Sequence, residues 1–272
     1  MRLSEIVRKS SAGYKANPVL FVPPLVALIV SVLTSAILPQ GVSREGVPAI
    51  TSGLVMMGLG VLLLMLVVSF LVILGQANMS GKVVTVGRTT LADWGTGVRK
   101  YFFRVLGIGL IFLGIVFILF MIVGFAYALT ILPEMITSEG VVRPPITPTP
   151  QTVYMSWVMT FIMTAALSVF YIWLAPAILD NKCVGTSLDL GVKTIRRSGR
   201  VLVGFITLFF IVSAIATVIK DLPSLTGLDV QPLVGSLTSA SIISQIIERI
   251  FSPLWFLIAF TIYHEHSIEA SD

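Results

Sequence analysis

Few residues in this chain are of a type and spacing that could do chemistry. His264-Glu265-His266 is the only histidine cluster. A catalytic zinc centre needs three or four convergent ligands, and this trio falls short without a donor from elsewhere, so it reads as a solvated tail. The one cysteine, Cys183, excludes an intramolecular disulfide and a thiolate metal cluster. No HExxH, GxSxG or GxxxxGK sequence occurs. The expectation is a protein that is not an enzyme, with no catalytic residues, no metal and no cofactor.

One charged pair stands out. Glu248 and Arg249 lie inside LTSASIISQIIERIFSPLWFLIAF, which is otherwise neutral. A charge at mid-bilayer costs about 2.5–3.5 kcal/mol even on the lenient insertion scale, so such a residue faces a cavity or a partner. Ser236, Ala240, Ser244, Glu248 and Ser252 recur at four-residue intervals and make a small, polar ridge. Ridges of this kind let helices approach closely. Pro253 then removes a helical hydrogen bond and should kink the segment. Two placements stay open. Either Glu248, Arg249 and Ser244 form an intramembrane polar site, with Glu248 paired to Arg249 or to a neighbouring span, or 233–250 is an outer interfacial helix with its charges in water.

The elements that must position these residues are read from composition. Hydrophobic residues make up 56% of the 272, and charged residues only 11%. Soluble domains carry roughly 25% charge. The apolar residues form blocks long enough to cross a bilayer, which takes about 20 residues as helix. Solid runs such as VLLLMLVVSFLVILG at 61–75 exclude the alternation of a transmembrane barrel. The expected fold is all-α: a polytopic bundle of six spans, at about 18–38, 49–75, 105–132, 153–179, 201–219 and 236–263, in one transmembrane domain covering 1–272.

Cations set the orientation. Fourteen of the 18 Lys and Arg residues fall before span one, between spans two and three, or between spans four and five. The other side receives Arg44, Arg143 and Lys220, with Arg249 near span six. Positive loops stay in the cytoplasm, so both termini are expected there, in a multi-pass protein of the cell membrane. The first span resembles a secretory signal, with Thr34-Ser35-Ala36 as a weak cleavage pattern, but its apolar run exceeds the usual 7–15 residues. It reads as uncleaved. The segment 133–152 carries five prolines and reads as an extended outer loop.

The chain also repeats itself. VGTSLDLGVKTIRRSGRVLVG at 184–204 matches VGRTTLADWGTGVRKYFFRVLG at 86–107, and LSEIVRKSSAGYKANPVL at 3–20 is a looser third copy. The units are about 1–80, 81–180 and 181–266, each a basic helix followed by two spans. In the third copy Leu188, Val192, Ile195 and Leu202 share one helical face, opposite Lys193, Arg196, Arg197 and Arg200. In the second, Leu91, Trp94, Val98, Phe102 and Val105 form the apolar stripe, with Arg88 and Arg99 beside it and Lys100 and Arg104 further round. In the first, Leu3, Val7, Ser10 and Tyr14 oppose Arg8 and Lys15, with Lys9 adjacent. Such helices are expected to lie in the interface with their apolar faces among acyl chains and their cations on anionic headgroups. The plainer alternative is that these cations only fix topology.

At these residues the sequence resembles a family of uncharacterised six-span membrane proteins related to the membrane domain of glycerophosphoryl diester phosphodiesterases. The matching features are Pro176 and Asp180, Gly185, Ser187-Leu188 and Ser198, and Pro253-Leu254 with Tyr263. They span nearly the whole chain. Family members carry alanine where this chain has Gly191, a small-for-small change expected to be without consequence. The resemblance implies no activity, since the phosphodiesterase is a separate soluble domain whose His-Arg pair and carboxylates are missing here.

The expected function is a lipid-interacting or accessory membrane protein whose partner is the cytoplasmic leaflet. A small-solute transporter or channel is the alternative, and a docking subunit for a soluble enzyme or a homo-oligomer is a further one. The net charge of +5 is too small to imply nucleic acid. The topology is testable with Lys9→Cys and Arg143→Cys, each in a Cys183→Ser background. An impermeant thiol reagent added to intact cells should label position 143 and spare position 9. The reverse pattern would overturn the orientation.

Overall fold

The computed structural model describes residues 2–37, 52–135, 150–226 and 239–269, in helices and the short links between them. Helix α1 (Leu3–Ala16) runs through a short 3-10 turn (Pro18–Phe21) into α2 (Val22–Ile37). Then come α3 (Ser52–Val86), α4 (Leu91–Met135), α5 (Pro150–Leu179), α6 (Val184–Arg197), α7 (Gly199–Thr226) and α8 (Ser239–Glu269). Residues 136–149, most of the proline-rich segment, lie outside the described residues, as do Arg44, Arg143 and Ser236.

Five helices (α3, α4, α5, α7 and α8) are long and apolar enough to cross a membrane. A sixth crossing exists only if α1 and the 3-10/α2 segment count as one broken span, because the axis turns by 91° between them. The turn has a local cause. Pro18 cannot continue α1, and Asn17 clamps the corner, its Nδ2 donating to the Gly13 and Gly87 carbonyls at 2.8 and 3.2 Å. Its Oδ1 accepts the Thr89 N–H at 3.1 Å.

Two expected boundaries move. The span expected at 49–75 continues to Val86, and two polar side chains beyond the expected end are hydrogen-bonded inside the bundle. Gln76 and Ser252 hydrogen-bond across α3 and α8 at 3.0 Å, and Asn78 donates to the Asp93 carbonyl at 2.6 Å. The second basic segment is not a separate helix either. It runs unbroken into the following span as the 45-residue α4, having no counterpart to the Ser198 break that separates α6 from α7.

The core surrounds the C-terminal half of α8. Every residue from Pro253 to Tyr263 is buried, as is every residue of α3 from Leu74 to Gly81. Helices α1, α2, α3, α5, α6 and α7 all pack on α8. An apolar helix surrounded by others needs no polar face. In lipid, burial gains little from leaving water, so close packing of shapes decides the association. Aromatic rings supply it here, with Trp255 stacked on Phe209 at 4.7 Å and Phe256 tilted on Tyr171 at 4.4 Å. Helix α4 faces outward instead, exposing Leu110, Leu113, Phe117 and Met121, as a surface against acyl chains would.

The basic helices are anchored by the bundle, which corrects the expectation that their apolar faces lie among acyl chains. Leu3, Val7, Tyr14, Val98, Phe102, Leu188 and Ile195 pack against the core. The stripe of α6 turned fully inward is small: Ser187, Gly191, Thr194 and Ser198. A Cβ on Gly191 would stand 2.4 Å from Trp173 Cδ1 and 3.2 Å from its Cα. The same lock joins α4 to α3 with the sizes reversed: Trp94 fills the space over Gly75 and donates Nε1–H to the Leu71 carbonyl at 3.1 Å.

An alanine at 191 is therefore not a neutral exchange. Gly191→Ala should cost about 1–3 kcal/mol through overpacking. Gly185→Ala in the same helix, where a Cβ meets nothing within 4 Å, should not. Thermal unfolding in detergent compares them, and equal stability would contradict this packing.

Candidate functional site

Helices α5, α7 and α8 enclose between them a cavity of about 520 Å³. Its position follows from their lengths. Thr160 is 19 residues before the end of α5 and Tyr171 is eight before it. At 1.5 Å per residue the cavity spans roughly 17 Å of depth. Tyr171, Phe209 and Trp255 form its floor, continuous with the aromatic core. Met163, Leu167 and Val212 give it apolar walls.

The polar lining comes from all three helices. Thr160 and Thr164 project from α5, Ser213 and Thr217 from α7, and Glu248, Arg249 and Ser252 from α8. Thr164 and Thr217 donate to carbonyls one turn back, at 2.7 and 2.9 Å, a bond that satisfies the hydroxyl proton and leaves the oxygen able to accept. The Pro253 ring lacks an N–H, so the Arg249 carbonyl has no helical donor.

Glu248 and Arg249 both face this space, within the apolar 240–267 segment. Glu248 is exposed to the cavity and Arg249 is half-buried. Neither makes an ion pair with a described residue: of the two pairings left open, to Arg249 or to a neighbouring span, no contact pair is formed, although Arg249 and Lys220 attract Glu248 at longer range. Successive helical residues point about 100° apart, which keeps the two side chains out of contact while both face the cavity. The expected ridge also divides. Ser244 is buried and does not line the cavity, whereas Ser252 does while it bonds to Gln76. Between them Gln245 turns to α2 and accepts from the Ser31 hydroxyl at 3.0 Å.

The expected headgroup cations sit on α1, on α6, and at or near the starts of α4 and α7. Three are engaged: Lys9 with Glu265 at 2.6 Å, Lys193 with Asp189 at 2.7 Å, and Arg104 with the Asn181 carbonyl at 2.9 Å. Lys100 lies over the Tyr101 ring at 4.9 Å. Arg8, Lys15, Arg88, Arg99, Arg196, Arg197 and Arg200 are exposed and form no ion pair with a described residue. The His264-Glu265-His266 cluster is tied into this end through Glu265 and Lys9. No group of three or more metal-ligating side chains converges among the described residues. Cys183 is exposed at the start of α6, and the Thr186 hydroxyl at 3.1 Å holds its thiol below the ordinary range.

Several contacts escaped sequence reasoning. Tyr263 hydrogen-bonds the Asp180 carboxylate, joining α8 to the end of α5. Tyr14 donates to the Ile250 carbonyl, three residues before Pro253. No protein-family model, curated protein or solved structure matches the chain.

Proposed function

We propose that this chain is a non-enzymatic, six-span protein of the cell membrane that engages anionic headgroups of the cytoplasmic leaflet, with both termini on that side. The observation that carries the reading is that seven of the eleven headgroup candidates are exposed and make no ion pair with a described residue, six of them on helices that the bundle holds fixed and Arg88 in the link before α4. Each cation near an anionic surface contributes about 1 kcal/mol, and cations held in place lose less side-chain and backbone freedom when a headgroup arrives.

A threefold repeat supports the same reading, since it supplies three such helices. Gly75 and Trp173 lie 11 residues before Val86-Gly87 and Val184-Gly185 respectively. Trp94 and Gly191 each lie three residues after the matching leucines, Leu91 and Leu188. In both units one tryptophan and one glycine meet at the joint between a basic helix and the span before it, with the roles exchanged. Helix α1 closes on α8, the last span of the third unit, through Ser10 and Thr261 at 3.3 Å.

The cavity with Glu248 and Arg249 favours a second reading, passage or binding of a small solute. Its volume lies in the usual range for small-molecule sites, about 300–1,000 Å³. Tracer flux into liposomes containing the purified chain distinguishes a carrier from a purely lipid-engaging protein.

Replacing Arg196, Arg197 and Arg200 together with glutamine should remove about 3 kcal/mol of attraction, close to two orders of magnitude in affinity for anionic vesicles. The loss should shrink as salt is raised, because screening already weakens the parent. Unchanged vesicle binding and lipid co-purification, with mixed orientation in cells, would leave these cations a role in topology alone.

A further inference from the structure

The charge pattern of the α5–α7–α8 cavity restricts what it can hold. One carboxylate and one guanidinium, adjacent on α8, face the same space and are not bridged to each other or to another described residue. Charges at membrane depth are costly unless something compensates them, and Arg249 and Lys220 attract Glu248 only across a gap, without a contact pair. A simple cation would answer Glu248 and leave Arg249; a simple anion would do the opposite. A molecule bearing both charges answers both. The walls add a second requirement, because Met163 and Leu167 on one side and Val212 on the other offer an apolar surface above the Tyr171, Phe209 and Trp255 floor. The hydroxyls of Ser213 and Thr217, which line the same space, can accept from an ammonium group with several N–H donors.

We propose that this cavity binds a neutral zwitterion with an apolar part, its anionic group on Arg249, its ammonium on Glu248 and its apolar part toward the aromatic floor. The proposal deepens the small-solute reading and rests on the cavity being a binding site. Binding is measured apart from flux, so a chain that binds without transporting would overturn transport alone. Two sources carry this chemistry: a free apolar amino acid, and the ethanolamine headgroup of a zwitterionic phospholipid.

The experiment uses the full chain in nanodiscs of phosphatidylglycerol, with radiolabelled leucine as the probe. Isocaproate, which keeps the carboxylate, and isoamylamine, which keeps the ammonium, serve as competitors. Leucine should outcompete both on the parent. Glu248→Gln should weaken leucine about tenfold or more and make isocaproate the better competitor, because only the ammonium partner is gone. Arg249→Gln should do the reverse and favour isoamylamine. A crossed preference requires two folded variants, so general damage cannot produce it. In a second arm the chain is purified from mixed phosphatidylethanolamine and phosphatidylglycerol. Phosphatidylethanolamine retained by the parent and lost in both variants, without leucine binding, would support the proposal with the lipid as source. Retention of neither probe above background, or binding that both substitutions leave unchanged, would overturn it.

Discussion

The structure depends on the enclosure of one helix half. From Pro253 to Tyr263, α8 has no exposed residue, and six of the other seven helices pack on it. Shape complementarity, the packing of Trp255, Phe256 and Phe260 against rings and small residues of α3, α5 and α7, has to supply what water would supply in a soluble core. The polar contacts around this column are modest by comparison. An exposed pair such as Lys9–Glu265 contributes about 0–1 kcal/mol, so it orients α1 more than it holds it.

The cavity is a consequence of where that enclosure stops. N-terminal to Pro253 the same helix carries Ser252, Arg249, Glu248 and Gln245, side chains that a tight aromatic column has no room for. One of them is absorbed by Gln76 and another by Ser31, through hydrogen bonds to α3 and α2. The remaining charges face the gap between α5 and α7. A helix that is fully buried just after its proline and carries two unbridged charges just before it thus divides the bundle into a sealed part and an open one.

Much of this was legible from residue order. Hydropathy located the apolar helices, because a membrane asks for the same run of residues wherever the helix lies in the bundle. The inside-positive pattern gathered the basic segments, and four-residue spacing drew attention to Glu248. Lipid-facing and core-facing helices could not be told apart on the same grounds: Phe117 on α4 is exposed while Phe260 on α8 is fully buried. Partner identity was equally hidden where it spans the chain, as with Gln76 and Ser252, 176 residues apart, or Asp180 and Tyr263, 83 apart. The role of Gly191 needed the position of Trp173, which no local pattern supplies.

If the sealed half of α8 organises the fold, the first helix of the chain must close against it. The Ser10 and Thr261 side-chain oxygens stand 3.3 Å apart, a separation from which paired cysteines need little movement to reach the roughly 2.05 Å of a disulfide. Ser10→Cys with Thr261→Cys, in a Cys183→Ser background, should form an intramolecular bond under mild oxidation in native membranes and raise the melting temperature. Failure to cross-link within one chain, while each single cysteine remains reactive, would contradict the enclosure of α8.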